Sequence, residues 1–155
     1  MRYINLKQEV LKTDLQLFAD EISGLLSKGT ALSYKSSGDS YTAVAAVKTI
    51  PAIGSDPEKV DVTHLGSEKK SYVKGLEDSE NLEFSIIYQG KNFKDIHALC
   101  KTGKETDFKI TYPDGMEVTF TGTPSFKFNG AEVNSALEFS LVVVVSKGPD
   151  IKPAP

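Results

Sequence analysis

His64, His97 and the single cysteine, Cys100, are the side chains best suited to chemistry near neutral pH. His97 and Cys100 stand three apart, which puts them on one face of a helix and supplies half of a zinc site. No second His/Cys pair exists to complete four ligands, so the pair reads as part of a half-buried helix face. Carboxylates gather at Glu77, Asp78, Glu80 and Glu83. Paired acids can do general acid–base work, but these lie in a polar stretch where solvated charge is the plainer reading. No serine sits in a Gly-x-Ser-x-Gly elbow and no glycine-rich phosphate loop occurs. The reading is therefore of a non-enzyme with no catalytic residues, no cofactor site and no metal site.

Bulk properties narrow the class further. A chain of 155 residues is normally one domain with room for a core. Its net charge of −3 argues against a surface that grips nucleic acid, because Lys and Arg contacts to phosphate supply most of that affinity. One cysteine cannot form an internal disulfide. No apolar run approaches the roughly 18 residues of a membrane span. The segment MRYINLKQEVLKTD lacks a signal-peptide core, so folding in a cytoplasm is expected.

Most of the chain carries strand signals. Phe108, Ile110 and Tyr112 alternate with Lys109 and Thr111; Met116, Val118 and Phe120 alternate with Glu117, Thr119 and Thr121. Such alternation buries one face of a strand. Between the two runs, Tyr112-Pro113-Asp114-Gly115 is a tight turn, with proline presetting φ and glycine free to go left-handed. A shorter strand, Phe126-Lys127-Phe128, precedes a second turn at Asn129-Gly130. From Leu141 to Val145 every residue is apolar. Either this is a central strand between a core and a helix, or a neighbouring copy covers one face, since such a run left open is an aggregation site.

Earlier strands are expected at Ala31–Tyr34, at Tyr41–Ile50, and at Lys59–Leu65 with Val60 and Val62 inward. Another is expected at Leu82–Tyr88. Residues 65–81 are charged, with few apolar anchors; a loop of that length in a compact domain is usually functional or disordered. Asn92 with Asp95 three positions on resembles a capping box, opening a helix over 91–103 whose Phe93, Ile96, Leu99 and Cys100 face one way. In residues 1–28, Ile4, Leu11, Leu15, Phe18, Ile22 and Leu25 fall at helical spacing. That segment is either a helix on its own sheet or an arm that docks on another copy. Residues 149–155 read as a flexible tail. The sum is a mainly β, antiparallel domain over 29–148, a β-sandwich or partly closed barrel with one flanking α-helix and an N-terminal arm or helix.

Three stretches together resemble the major tail (tail tube) proteins of long, non-contractile bacteriophage tails. They are Val47-Lys48-Thr49-Ile50-Pro51-Ala52-Ile53-Gly54, Lys59-Val60-Asp61-Val62-Thr63-His64-Leu65 and Ser71-Tyr72-Val73-Lys74-Gly75-Leu76. Phe120-Thr121-Gly122 and the apolar strand ending in Lys147-Gly148-Pro149 also fit, so the similarity spans 30–149. The resemblance implies six copies in a ring, joined sheet to sheet around a lumen, with rings stacked into a virion tail that conducts DNA without binding it. It also implies other tail proteins at the tube ends, no membrane, and assembly in the bacterial host cytoplasm. The loop at 65–81 is then the contact to the next ring, placing Leu65, Lys69, Lys70, Tyr72, Val73, Leu76, Glu77 and Asp78 there. Val142, Val143, Val144 and Val145 are expected at the joint within a ring. A tube protein of a phage-like injection or secretion device is the near alternative, and a monomeric β-sandwich binding module the distant one.

Overall fold

The computed structural model describes residues 26–76 and 81–155. Nine strands run in chain order with one helix among the described residues. They are β1 (Ala31–Ser37), β2 (Ser40–Ala43), β3 (Val47–Thr49), β4 (Lys59–Asp61), β5 (Tyr72–Lys74), β6 (Leu82–Ile87), α1 (Lys91–Lys101), β7 (Thr106–Thr111), β8 (Glu117–Phe128) and β9 (Glu138–Lys152). Seven strands form one sheet in the order β2-β1-β7-β8-β9-β6-β3, and β4 pairs only with β5 in a separate ribbon. Every pairing is antiparallel.

The sheet order decides the architecture. β2 and β3 are the two opposite edges, yet only Val44, Ala45 and Ala46 separate them in sequence. Six strand spacings of a flat sheet would hold the edges about 29 Å apart. The four Cα steps from Ala43 to Val47 reach about 15 Å at most. The sheet must therefore curl until its edges nearly meet, and the partly closed barrel is the form adopted. The crossing residues are bonded to both sides: Val44 N–H donates to the Leu32 carbonyl (2.8 Å), and Ile87 N–H donates to the Ala46 carbonyl (2.9 Å). Tyr41–Ile50 is thus two edge strands rather than one, broken at Ala46, which takes a left-handed φ of 62°.

Asn92 tightens this seam. It is buried, and its amide nitrogen donates to the carbonyls of Ala45 (3.2 Å) and Ile87 (2.8 Å) while its oxygen accepts from Gln89 N–H (3.0 Å). It does not cap α1. Gly90 holds the cap position and has no side chain to cap with; Asn92 lies inside the helix, and its oxygen accepts from Gln89 N–H instead. Nearby, Glu138 accepts from Lys48 of β3 and from Ser85 of β6 (3.1 Å), and the Lys48 ammonium holds its carboxyl below the usual carboxylate range.

All the large buried side chains share the inner face. Leu32 and Tyr34 of β1, Phe108 and Ile110 of β7, Val118 and Phe120 of β8 line it. Phe139, Leu141, Val143 and Val145 of β9 and Leu82, Phe84 and Ile86 of β6 complete it, with Ile96 of α1 inserted. Phe108, Phe120 and Phe84 stack in sequence at 5.4 and 6.1 Å. The expected turn at Tyr112–Gly115 is present: Gly115 has φ 90° and Met116 N–H donates to Asp114.

Pro124 disguised the length of β8. A proline argues against a central strand, and the sequence divides there into two shorter runs. In the structure β7 begins at Thr106, opposite Gly122, so from residue 123 onward β8 pairs with β9 alone, and a proline is tolerated in a strand with one open side. The register also shifts around Thr121, where β8 and β9 approach so closely that a Cβ on Gly122 would collide with the Val144 carbonyl. The connection after β8 spans 129–137, longer than a two-residue turn at Asn129-Gly130. β9 runs past Gly148 to Lys152, opposite Glu117, so part of the stretch read as a tail is strand. Most of the 1–28 segment lies outside the described residues.

Replacing Asn92 by alanine removes three hydrogen bonds at the seam and is expected to cost about 1–3 kcal/mol, read as a lower urea midpoint. Asn92→Asp, which keeps the acceptor and loses both donors, is expected to fall near alanine and not near wild type.

Candidate assembly surfaces

Among the described residues, those suited to chemistry do not converge on one centre. His97 is exposed, and its ring lies against Phe93 (5.7 Å) and Phe126 (5.4 Å). Cys100, on the same side of α1, is half-buried, and burial pushes its thiol up to about 11, leaving it protonated and a poor ligand at neutral pH. His64 accepts from Gly66 N–H (3.1 Å) in the turn that follows β4. Glu83 is exposed opposite Val142, while Glu77, Asp78 and Glu80 lie outside the described residues. Among the described residues no three His, Cys, Asp or Glu side chains converge as a metal site, and no helix is long and apolar enough to cross a membrane.

What the fold does present is uncovered apolar surface, and the ribbon with its flanks carries one share of it: Val60, Val62, Leu65, Tyr72, Val73 and Leu76. Val60 faces Val73 across the pair, and Lys59 faces Lys74. Val62 N–H donates to Ser71 O (3.0 Å), and Gly75 N–H to Glu58 O (2.6 Å), so the backbone is well paired. All six strand residues are nevertheless exposed. Period two puts Val60, Val62 and Val73 on one side and Lys59, Asp61, Tyr72 and Lys74 on the other. The expectation that Val60 and Val62 point into the domain core is corrected: β4 belongs to a ribbon apart from the main sheet, where there is no core to face. Leu65, Lys69, Lys70, Tyr72, Val73 and Leu76 are all exposed on or beside this ribbon. A two-stranded hairpin is marginal in water without something to pack on.

The strand Leu141–Val145 divides in two. β9 is central, between β8 and β6. Val143 and Val145 are inside the curl, whereas Val142 is half-buried and Val144 is 52% exposed on the outer face. Thr123 and Ser125 oppose Val144 and Val142 there. Of the four valines placed at a joint, two are committed to the chain's own core and two remain available. On the same outer face, Lys35 pairs with Asp39 (3.1 Å) and Lys109 with Glu117 (3.4 Å), so these two cations are not bare phosphate ligands.

A third surface escaped the sequence reading. Phe126 and Phe128 sit at inner-face positions of β8, opposite the fully buried Leu141 and Phe139, yet both are exposed. Phe93 of α1 packs against them at 5.3 and 4.8 Å, and Tyr88 closes on Phe128 at 6.1 Å. The alternation Phe-Lys-Phe signals one apolar face; only the three-dimensional layout shows that the cover stops short of it.

The fold as a whole has counterparts among known proteins. A family model described as phage tail tube protein, TTP, matches residues 25–151. Among solved structures, a chain from the tail of an empty GTA particle, refined with C6 symmetry, superposes with a TM-score of 0.64 at 15% identity, covering 83% of this chain and 98% of that one. A chain from the anti-feeding prophage (AFP) baseplate, 6-fold symmetrised, gives 0.61 at 8% identity, covering 84% and 95%. A search of curated protein sequences finds no match.

The two neighbouring valines give a clean contrast. Val143→Asp buries an unpaired charge and is expected to cost at least about 3 kcal/mol, whereas Val144→Asp is expected to cost less than about 1 kcal/mol in the dispersed chain; urea unfolding of each checks this. Cys100 is expected to react with iodoacetamide at pH 7.5 roughly 100-fold more slowly than a free thiol, because raising the folded pKa lowers the thiolate fraction. Its rate should climb with pH toward about 11.

Proposed function

This chain belongs to the phage tail tube protein family, and we propose that its copies close into six-membered rings that stack into a hollow tube for DNA. The observation that carries the reading is the β4–β5 ribbon: well hydrogen-bonded, apolar on one side, exposed on both, and without a cover among the described residues. Such a ribbon is a joint whose other half belongs to a second copy. The six-fold symmetry named for both structural neighbours supports six copies in a ring. Leu65, Lys69, Lys70, Tyr72, Val73 and Leu76, with Glu77 and Asp78 following in sequence, are assigned to the contact between rings. Val142 and Val144 are assigned to the joint within a ring, where the outer face of one sheet meets its neighbour. Val143 and Val145 act there only indirectly, by holding β9 in place.

The proposed task is mechanical. A conduit must let the duplex slide, and binding of phosphate would oppose that. Net negative charge suits sliding. Other tail proteins would close the tube ends, assembly would take place in the bacterial host cytoplasm, and the finished tube would reside in the virion tail. The likeness to the AFP chain favours one second reading, the same tube built into a phage-like injection device; both readings place identical demands on the ribbon.

Deleting residues 66–80 tests the assignment. The deletion chain is expected to keep the cooperative unfolding of the main sheet and to lose tubes in negative-stain microscopy, while the intact chain at high concentration shows hollow filaments with six-fold end views. Normal tubes from the deletion chain would refute the role given to the ribbon.

A further inference from the structure

The ribbon needs a receiving surface, and the aromatic shelf at the end of β8 is built like one. Phe126 is 38% and Phe128 44% exposed, though their cross-strand partners Leu141 and Phe139 are wholly buried. They occupy core positions at a place where the core has no lid. Two features leave the shelf open among the described residues: β7 does not extend past Thr106, opposite Gly122, and the rings that α1 lays on the shelf are those of Phe93 and His97. Tyr88 and Leu137 extend the open patch.

We infer that the apolar side of the β4–β5 ribbon of one copy packs face to face on the Phe126–Phe128 shelf of a second copy, supplying the missing lid; this rests on the tube reading above. Size agrees: Val60 and Val62 span two residues on one side of a strand, about 7 Å, the same length as Phe126 to Phe128. Charge agrees as well. Lys69 and Lys70, in the turn joining β4 to β5, and Glu132, in the 129–137 connection beside Phe128, are all exposed, and this docking brings the two lysines toward the carboxylate. Symmetry sets the last condition. A head-to-tail contact between identical chains needs two unlike patches on every copy, and ribbon and shelf are unlike, separate and both uncovered. Each contact is small, so its strength comes from repetition around a ring.

The test uses two populations of the full chain, both carrying Cys100→Ser, one with Val62→Cys and the other with Phe128→Cys. They are mixed, assembled, treated with a short bismaleimide cross-linker and mapped by mass spectrometry. A cross-link between positions 62 and 128 of different populations is expected. Tubes that form without it, or that join Val62→Cys chains to one another, overturn the inference and leave the tube reading standing. Failure of the unmodified chain to form rings or tubes at any concentration overturns both. Where either cysteine prevents assembly, amide exchange of the unmodified chain decides. Slowing on assembly at both 59–63 and 126–128 supports the contact; slowing at the ribbon alone, or at neither, overturns it.

Discussion

Three residues between Ala43 and Val47 constrain the whole domain. They tie the first strand of the sheet to the last, and their reach is about half the width of seven flat strands. The curl that results gives the sheet an inside, and the inside is where every large buried side chain lies. Asn92 satisfies the carbonyls exposed by the crossing, so the seam is closed by polar groups while the interior stays apolar. An unpaired carbonyl at such a place would be costly, and the Asn92 amide of α1 supplies the donors that prevent it.

Curling has a second effect. A sheet wrapped on itself, with one short helix against it among the described residues, does not cover its own full length. β8 has 12 residues and β9 has 15, longer than the six-residue β6 and β7 beside them. The overhang at Phe126–Phe128 keeps core-type side chains without a core. At the same time β4 and β5 are held away from the sheet as a ribbon with one apolar side. In an isolated molecule both are liabilities, because open apolar faces and free strand edges invite indiscriminate pairing. In the proposed tube they are complementary halves of one contact. The outer face is managed differently: Lys35 and Lys109 are held by carboxylates, and Thr123 and Ser125 stand opposite Val144 and Val142.

Much of this was legible in the residues. Period two at Phe108–Tyr112 and Met116–Thr121, the Pro-Asp-Gly turn and the spacing of Phe93, Ile96, Leu99 and Cys100 announced the hairpin and the helix. Local physics governs those features, since alternation and turn chemistry act over a few residues. Errors arose where distant chain segments decide. Asn92 has the right type and spacing for a cap, but its partners lie 47 and five residues away. Val60 and Val62 alternate as core residues do, and alternation reports which residues share a side, not whether anything covers it. Pro124 reads as a strand breaker unless the end of β7 is known.

Taken alone, the sequence determined the class of the fold, the absence of a second His/Cys pair to finish a metal site, and the family to which the chain is similar, because these follow from residue types and short spacings. Only the tertiary structure decided that the sheet curls into a half-barrel, that β4 and β5 stand apart as a ribbon, and which valines of Val142–Val145 are spent on the core. The physical reason is the same in each case: coverage is a property of two surfaces brought together from far apart in the chain, and no short window of residues contains both.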